Sequence, residues 1–409
     1  MLGTSIEWFD FFLYGTAAAL VFNKIFFPKL DPVTGTLAAF ATYAVGFVGR
    51  PLGGIIFGHI GDRIGRKATL LLTLLLMGVP TVLIGLLPPY AVLGYWAAVL
   101  LVLLRLVQGV AVGGEWGGAV LMAVEHAPAG QKGFFGSLPQ MGVGPGLIMS
   151  SVAMSLVSGL PEAEMLSWGW RIPFVFSIVL LGIGWFIRSR VPESPEFLAV
   201  RNENAERSVP ALVVLRDYPR ALLTIIGARI AENTWFYTVT TFALSYATGT
   251  LHLGRSQVLN AVTAGAALSV VTMPAMGYLS DRIGQRRLFA IGMVVMCLFA
   301  YPFFAMLATR DLALVWTAMV LAIGVVFAVL YAPESMLFAA QFPAAVRYSG
   351  ISISVQLAGA LGGGLAPVVA TALLRHYDGD ARPVAGYLLA LGFVALLCTG
   401  FMKSTRQRA

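Results

Sequence analysis

This chain is poor in charge. Only 11% of its 409 residues are Asp, Glu, Lys or Arg, against roughly 25% in a soluble domain. That deficit excludes a water-soluble globule of this size, because too little polar surface is left to cover it. Cysteine is almost absent: Cys297 and Cys398 lie far apart inside apolar stretches, with neither a disulfide framework nor metal-ligand spacing. No nucleotide-binding loop of the form G-x-x-x-x-G-K-S/T occurs, which argues against an ATP-driven pump. No nucleophile–base constellation supports an enzyme, and no cofactor is implied. A cleavable signal peptide is not expected, since the first apolar stretch carries Glu7 and Asp10 and lacks a basic leader.

What the chain has is apolar length. Its residues are 58% hydrophobic, with a mean hydropathy of +0.83. Runs of about 20 apolar residues, the length of a membrane-spanning helix, predict twelve helices. The first six lie near 3–23, 35–60, 68–88, 94–124, 134–159 and 170–188. The second six lie near 219–248, 256–279, 287–307, 312–341, 346–374 and 384–403. The division is therefore an N-terminal bundle over 1–188, a polar linker loop over 189–218 and a C-terminal bundle over 219–409. The linker mixes Arg188, Arg190, Arg201, Arg207 and Arg216 with Glu193, Glu196, Glu203, Glu206 and Asp217. A net charge of +8 could suggest nucleic acid, but the cations sit in short loops between apolar runs, so no nucleic-acid partner is expected. The loops after odd-numbered helices hold Lys24, Lys29, Arg171, Arg255, Arg310, Arg375 and Arg382. The even-side loops and C terminus hold many more, including Arg63, Arg66, Lys67, Arg282, Arg286, Arg287, Lys403, Arg406 and Arg408. By the positive-inside rule the even loops, the linker and the C terminus face the cytoplasm.

The halves repeat one another. Residues 58–67, GHIGDRIGRK, recur with the same spacing at 277–287 as GYLSDRIGQRR, each copy after the second helix of its half. A second echo sets Pro128 and Lys132 against Pro343 and Arg347, after the fourth helix of each half. Parallel six-helix repeats are a transporter architecture. Glycines in the repeated loop let helix ends approach and turn, and its acid can cap or pair locally.

This doubled loop resembles the signature of the major facilitator superfamily. The stretches IEWFDF (6–11), RPLGG (50–54), QGVAVGGEWGG (108–118), WGWRIPF (168–174) and RYSG (347–350) are similar to its metabolite:proton symporter branch, and AAALVF (17–22) and GTLAAFAT (35–42) to the shikimate-transporter-like members. The resemblance implies an all-α membrane protein, with twelve transmembrane helices in two pseudo-symmetric six-helix bundles. It also implies that Asp62, Arg66 and Glu125 latch one conformation, within a gating set of Gly58, Asp62, Arg63, Gly65, Arg66, Glu125, Asp281, Arg282 and Arg286. PESPE (192–196) resembles a sugar-porter loop and reads as a shared gating element.

Charges inside the bilayer carry the chemistry, because each costs about 2.5–3.5 kcal/mol on insertion scales. At about 1.5 Å per residue, Arg105, Asp10 and Arg50 come out at similar mid-depth. Glu7 lies one turn from Asp10 on the same face. Arg229, Glu232 and Asn233 are spaced along one face of the seventh helix, and Glu115 and Glu334 lie deeper. Asp10 with Arg105 is the preferred proton-coupling pair, a permanent structural ion pair is the alternative, and Glu7 or Glu232 are alternative carriers. Arg50 binds either a substrate carboxylate or neighbouring backbone carbonyls. Arg50, Arg105, Trp116, Arg229, Asn233, Tyr237 and Gln356 form the candidate substrate site, with Trp235 and Phe236 as further walls.

The function expected is import of a small organic acid, shikimate-like or another mono- or dicarboxylate, with protons, across a bacterial inner membrane by alternating access. A proton-driven exporter and a receptor that binds a metabolite without moving it are the alternatives.

Overall fold

The computed structural model describes residues 2–202 and 210–403. Glu203, Glu206 and Arg207 of the linker, and Arg406 and Arg408 at the C terminus, lie outside the described residues. Among the described residues there is no strand. Twelve long helices follow in order: α1 (2–26), α2 (Pro32–Arg63), α3 (Arg66–Leu86), α4 (Tyr95–Glu125), α5 (Lys132–Val157), α6 (Glu162–Arg190), α7 (219–250), α8 (Ser256–Ile283), α9 (Gln285–Ala308), α10 (Leu312–Ala339), α11 (Ala344–His376) and α12 (Arg382–Phe401). Searched over the described residues, nine are long and apolar enough to cross a membrane on length and composition. The other three are α1, α2 and α7, and these carry Glu7, Asp10, Arg50, Arg229 and Glu232.

The two halves pack alike. Helix α1 lies on α5 as α7 lies on α11, α2 on α4 as α8 on α10, and α3 on α6 as α9 on α12. Contacts between the halves obey the same relation: α2 meets α11, and its pseudo-equivalent α8 meets α5. The linker is more ordered than a polar loop, with short helices at Pro195–Asn202 and Pro210–Asp217. Each opens on a proline, whose fixed φ suits a first helical turn. Phe197 and Val214 are buried and dock them onto the bundles.

Glycine sets the closest interface. Gly46, Gly49 and Gly53 of α2 face Gly109, Val110 and Gly113 of α4, backbone to backbone. In lipid, helices gain contact by van der Waals packing, and small residues allow it. Large apolar side chains such as Val48, Leu52, Phe186, Leu298 and Phe393 point outward, a surface suited to hydrocarbon.

A methyl group at Gly53 would run into the Val110 carbonyl, whereas one at Gly182 meets nothing. Gly53→Ala should therefore destabilise by about 1–3 kcal/mol, the usual cost of overpacking. Thermal unfolding of the purified protein checks this: the midpoint falls for Gly53→Ala and stays within a degree or so of the parent for Gly182→Ala.

Candidate functional site

A central cavity lies between the halves. Glu7, Trp8 and Phe11 of α1, Arg50 of α2, Trp116 of α4, Arg229, Glu232, Asn233, Phe236 and Tyr237 of α7, Tyr331 of α10 and Gln356 of α11 line it. Its open volume is about 60 Å³, room for a few waters, so a bound organic acid requires these side chains to move. Of the residues expected to form the substrate site, six lie on this lining, namely Arg50, Trp116, Arg229, Asn233, Tyr237 and Gln356. Arg105 does not, and Trp235 faces away onto Phe299 and Phe303.

Arg50 rests on the faces of Phe47 and Phe11, 4.4 and 5.1 Å from the ring centres. Among the described residues no carboxylate lies within ion-pair distance of it. Aromatic faces hold a guanidinium weakly, by their quadrupoles, and Arg50 also meets the Tyr237 hydroxyl and feels the charge of Glu7, the cavity carboxylate beyond ion-pair distance. Arg229 is placed differently. It pairs with Glu334 and with Glu232 (3.4 Å), and lies over the rings of Trp116 (5.1 Å) and Tyr331 (4.8 Å). Those two rings are joined by a bond from Trp116 Nε1 to Tyr331 Oη, 2.9 Å. Trp116 and Tyr331 stand at the same offset as Pro128 and Pro343, so the internal repeat itself brings equivalent residues together below the cavity. The sequence named Trp116 but missed Tyr331, although extending the proline echo finds it.

Behind the cavity, Asp10 and Arg105 do not form the direct pair expected from the sequence. Asp10 instead accepts from the hydroxyls of Thr81 and Ser177, both at 2.9 Å. Arg105 is held by the rings of Tyr14, Tyr43 and Phe11, which draw it away from the carboxylate. A bonded chain joins the two nonetheless. Arg105 Nη1 donates to Gln108 Oε1 (3.2 Å), Gln108 Nε2 donates to Thr81 Oγ1 (2.8 Å), and Thr81 donates to Asp10. Single uncharged residues carry no strong signal in a sequence this apolar, so Thr81 and Ser177 went unnoticed. Glu115, deeper on α4, pairs with Arg188 of α6 and accepts from Thr73 at 2.8 Å.

The repeated loops lie at one end of the bundle and act as paired clamps. Asp62 accepts from the backbone N–H groups of Tyr348 (3.2 Å) and Ser349 (2.9 Å) at the start of α11. Its counterpart Asp281 accepts from Gly133 (2.7 Å) and Phe134 (2.8 Å) at the start of α5. Each acid thus caps a helix of the other half, where unsatisfied donors and the helix dipole favour negative charge. Lys67 and Arg286 act within their own halves. Lys67 Nζ donates to the Ser189 carbonyl at the end of α6 (2.7 Å), and Arg286 to the Met402 carbonyl at the end of α12 (3.0 Å). Gly65 and Gly284 make the turns at φ +131° and +97°, which side-chain-bearing residues rarely adopt. Arg63 and Arg282 are exposed, Arg282 over the Tyr278 ring, and Gly58 lies against Ser349 of α11.

Among the described residues only the N-terminal copy adds a charge network. Buried Arg66 donates to the Gly61 (2.9 Å) and Ala344 (3.0 Å) carbonyls and pairs with Asp62 (3.4 Å) and Glu125 (3.6 Å). Glu125 also pairs with Arg347 (3.2 Å) and accepts from Ser194. Within PESPE, Glu193 accepts from the Arg66 and Lys67 N–H groups, and Glu196 joins Arg347 to Lys132. Burial works to raise the Glu196 carboxyl, but Arg347 and Lys132 outweigh it and hold it below the usual carboxylate value. Its ion pairs therefore support this closed arrangement at neutral pH and are lost as pH falls through that lowered value.

Comparison with known proteins gives a consistent picture. The family model described as Major Facilitator Superfamily matches residues 1–367 and 226–408. The chain is 43% identical to a shikimate transporter of Escherichia coli K12, over 99% of this chain and 93% of that one. It is 38% identical to the inner membrane metabolite transport protein YhjE of the same organism, over 100% and 94%. Among solved structures, the proton:xylose symporter XylE bound to 6-bromo-6-deoxy-D-glucose superposes with a TM-score of 0.76 at 18% identity, covering 99% of this chain and 94% of that one. At that identity the likeness speaks for the fold.

Loss of one cross-half cap should cost about 1 kcal/mol, enough for a roughly fivefold increase in opening at this end. The reporter is Ser352→Cys, a buried position between α11 and the N-terminal half, with Cys297 and Cys398 replaced by Ala. In purified protein, Asp62→Asn and Asp281→Asn should each speed thiol labelling by about that factor. Acidification should speed it in the parent as the Glu196 pairs are lost. Labelling at the parent rate in both variants would remove the clamps from the switch.

Proposed function

The chain belongs to the major facilitator superfamily and is a membrane transporter, and from that premise we propose that it imports a small organic acid together with protons by alternating access. The observation that carries this reading is Arg50: a cavity cation held by aromatic faces and the Tyr237 hydroxyl, with Glu7 on the same cavity but no carboxylate among the described residues within ion-pair distance. A charge so placed at membrane depth calls for a mobile counter-ion, and a substrate carboxylate supplies one. Trp8, Trp116 and Tyr237 offer apolar walls, and Asn233 and Gln356 offer hydrogen bonds to hydroxyl groups. The shikimate transporter among the relatives adds weight to a hydroxylated carboxylate as cargo.

Asp10 is the proton carrier in this reading, and Thr81 and Gln108 relay its state to Arg105. A carboxylate at Asp10 accepts from Thr81 and so orients Gln108 toward Arg105. A proton on Asp10 turns the acid into a donor and frees the Thr81 hydroxyl to reorient. That reversal loosens the hold on Arg105, which borders Gly46 of α2, four residues from Arg50. The motif-loop end is closed here by the two aspartate caps. We place that end, the linker and the C terminus in the cytoplasm of a bacterial cell, with the protein multi-pass in the inner membrane. The cavity then loads from outside.

Proteoliposomes holding equal amounts of folded protein test this with a panel of labelled organic acids. External acid should stimulate uptake and a protonophore should abolish accumulation; accumulation driven by sodium and indifferent to protons contradicts the reading. Asp10→Asn mimics the protonated form, so it should still exchange labelled for unlabelled substrate while falling at least several-fold below the parental accumulation ratio. Arg50→Gln should weaken substrate binding about tenfold or more, as expected for a lost charge-assisted contact. Normal accumulation by Asp10→Asn would move the carrier role to Glu7 or Glu232.

A further inference from the structure

Two buried carboxylates share one cation in the C-terminal half. Glu334 on α10 is fully buried and Glu232 on α7 nearly so, and Arg229 is the guanidinium that both contact. Their surroundings differ. Glu232 Oε2 also accepts from Asn233 Nδ2 at 3.1 Å, whereas Glu334 Oε1 has no hydrogen-bond donor among the described residues. One guanidinium balances one carboxylate. A second bare carboxylate in a low-dielectric interior costs several kcal/mol, and two acids on one site do not both ionise readily.

The other ionisable groups around this site do not supply the missing charge. Glu7 on α1 adds a further acid, and Tyr237 and Tyr331 are neutral. Arg50 on α2 is within ion-pair distance of neither glutamate. Helices α4, α5 and α11 bring Trp116, Val143 and Gln356 to the cavity. Helices α8, α9 and α12, packed behind, carry Asp281, Arg282, Arg286, Arg287 and Arg382 at their ends.

We propose that Glu334, with Arg229 and Glu232, is a second proton-binding site, separate from Asp10, and that it holds its proton while the cavity is ready for substrate. The proton comes from water and forms an O–H bond on Glu334. A substrate carboxylate reaching Arg229 makes a third claim on the same guanidinium, which keeps that proton in place until the substrate leaves. Because Arg229 also covers the bonded Trp116–Tyr331 pair, its capture by substrate loosens the floor of the cavity at the same moment. This inference rests on the symport reading but can fail independently of it.

Infrared difference spectroscopy of the purified transporter, recorded without substrate between neutral and alkaline pH, tests it. A protonated-carboxyl component present in the parent should persist in Asp10→Asn. In the Asp10→Asn background it should be lost on adding Glu334→Gln and equally on adding Glu232→Gln, which leaves a single acid for Arg229. If Glu334→Gln yields too little folded protein, Glu232→Gln alone decides. Absence of the component from the parent, or its survival in either double variant, overturns the second site even if Asp10→Asn fails to accumulate substrate. Retention of the component with normal accumulation by Asp10→Asn would instead sink the Asp10 assignment and leave the second site standing.

Discussion

An ionised side chain in the membrane interior must have a partner, and the arrangement of this transporter follows from that constraint. Burying a charge unpaired costs several kcal/mol, so each intramembrane charge here is fixed by what it touches. Glu115 has Arg188, Arg229 has two acids, Asp10 has two hydroxyls, and Arg105 and Arg50 have aromatic rings. The strengths of these partnerships differ, and transport needs the weaker ones to exchange. In the proposed cycle Arg50, on its two rings and beside the Tyr237 hydroxyl, is the cation that a substrate anion recruits. Arg229, tied to acids and lying over the cavity floor, would in the same proposed cycle link that recruitment to opening.

At the motif-loop end the same constraint is met by backbone. Asp62 and Asp281 find their donors in the first turns of α11 and α5, which belong to the opposite halves. The caps exist only while the halves are together. Lys67 and Arg286 bind carbonyls of their own halves and survive separation. One short repeated motif therefore supplies both a contact that must break and a contact that must not. The halves are not equivalent, however: where the first copy has Arg66 in a network of acids, the second has Gln285, which donates to Asp281 at 3.1 Å.

Most of the fold was legible in the sequence, because twelve long apolar runs leave little else to build and the repeat at 58–67 and 277–287 fixes the pairing of the halves. The cavity lining was legible where charge marked it, at Arg50, Arg229 and Glu232. What sequence could not supply was which charge meets which. Mid-depth placement made Asp10 and Arg105 look like a pair, yet lateral packing on Tyr14 and Tyr43 separates them and inserts Thr81 and Gln108. Glu334 looked merely deep, and its contact with Arg229 depends on how α7 and α10 cross. The helical turns of the linker were hidden by its charge, although Pro195 and Pro210 marked their starts.

In the proposed symport cycle the two caps form one clamp that opens as a unit when proton and substrate are both bound. Spin labels at exposed positions across each contact, Ile64 with Ala345 and Ala129 with Arg282, report the two separations by pulsed electron resonance. Both distances should lengthen together when the transported acid is added at low pH, and neither should change with the acid at high pH. Lengthening across one pair alone, or opening driven by substrate with no need for protons, would contradict the account.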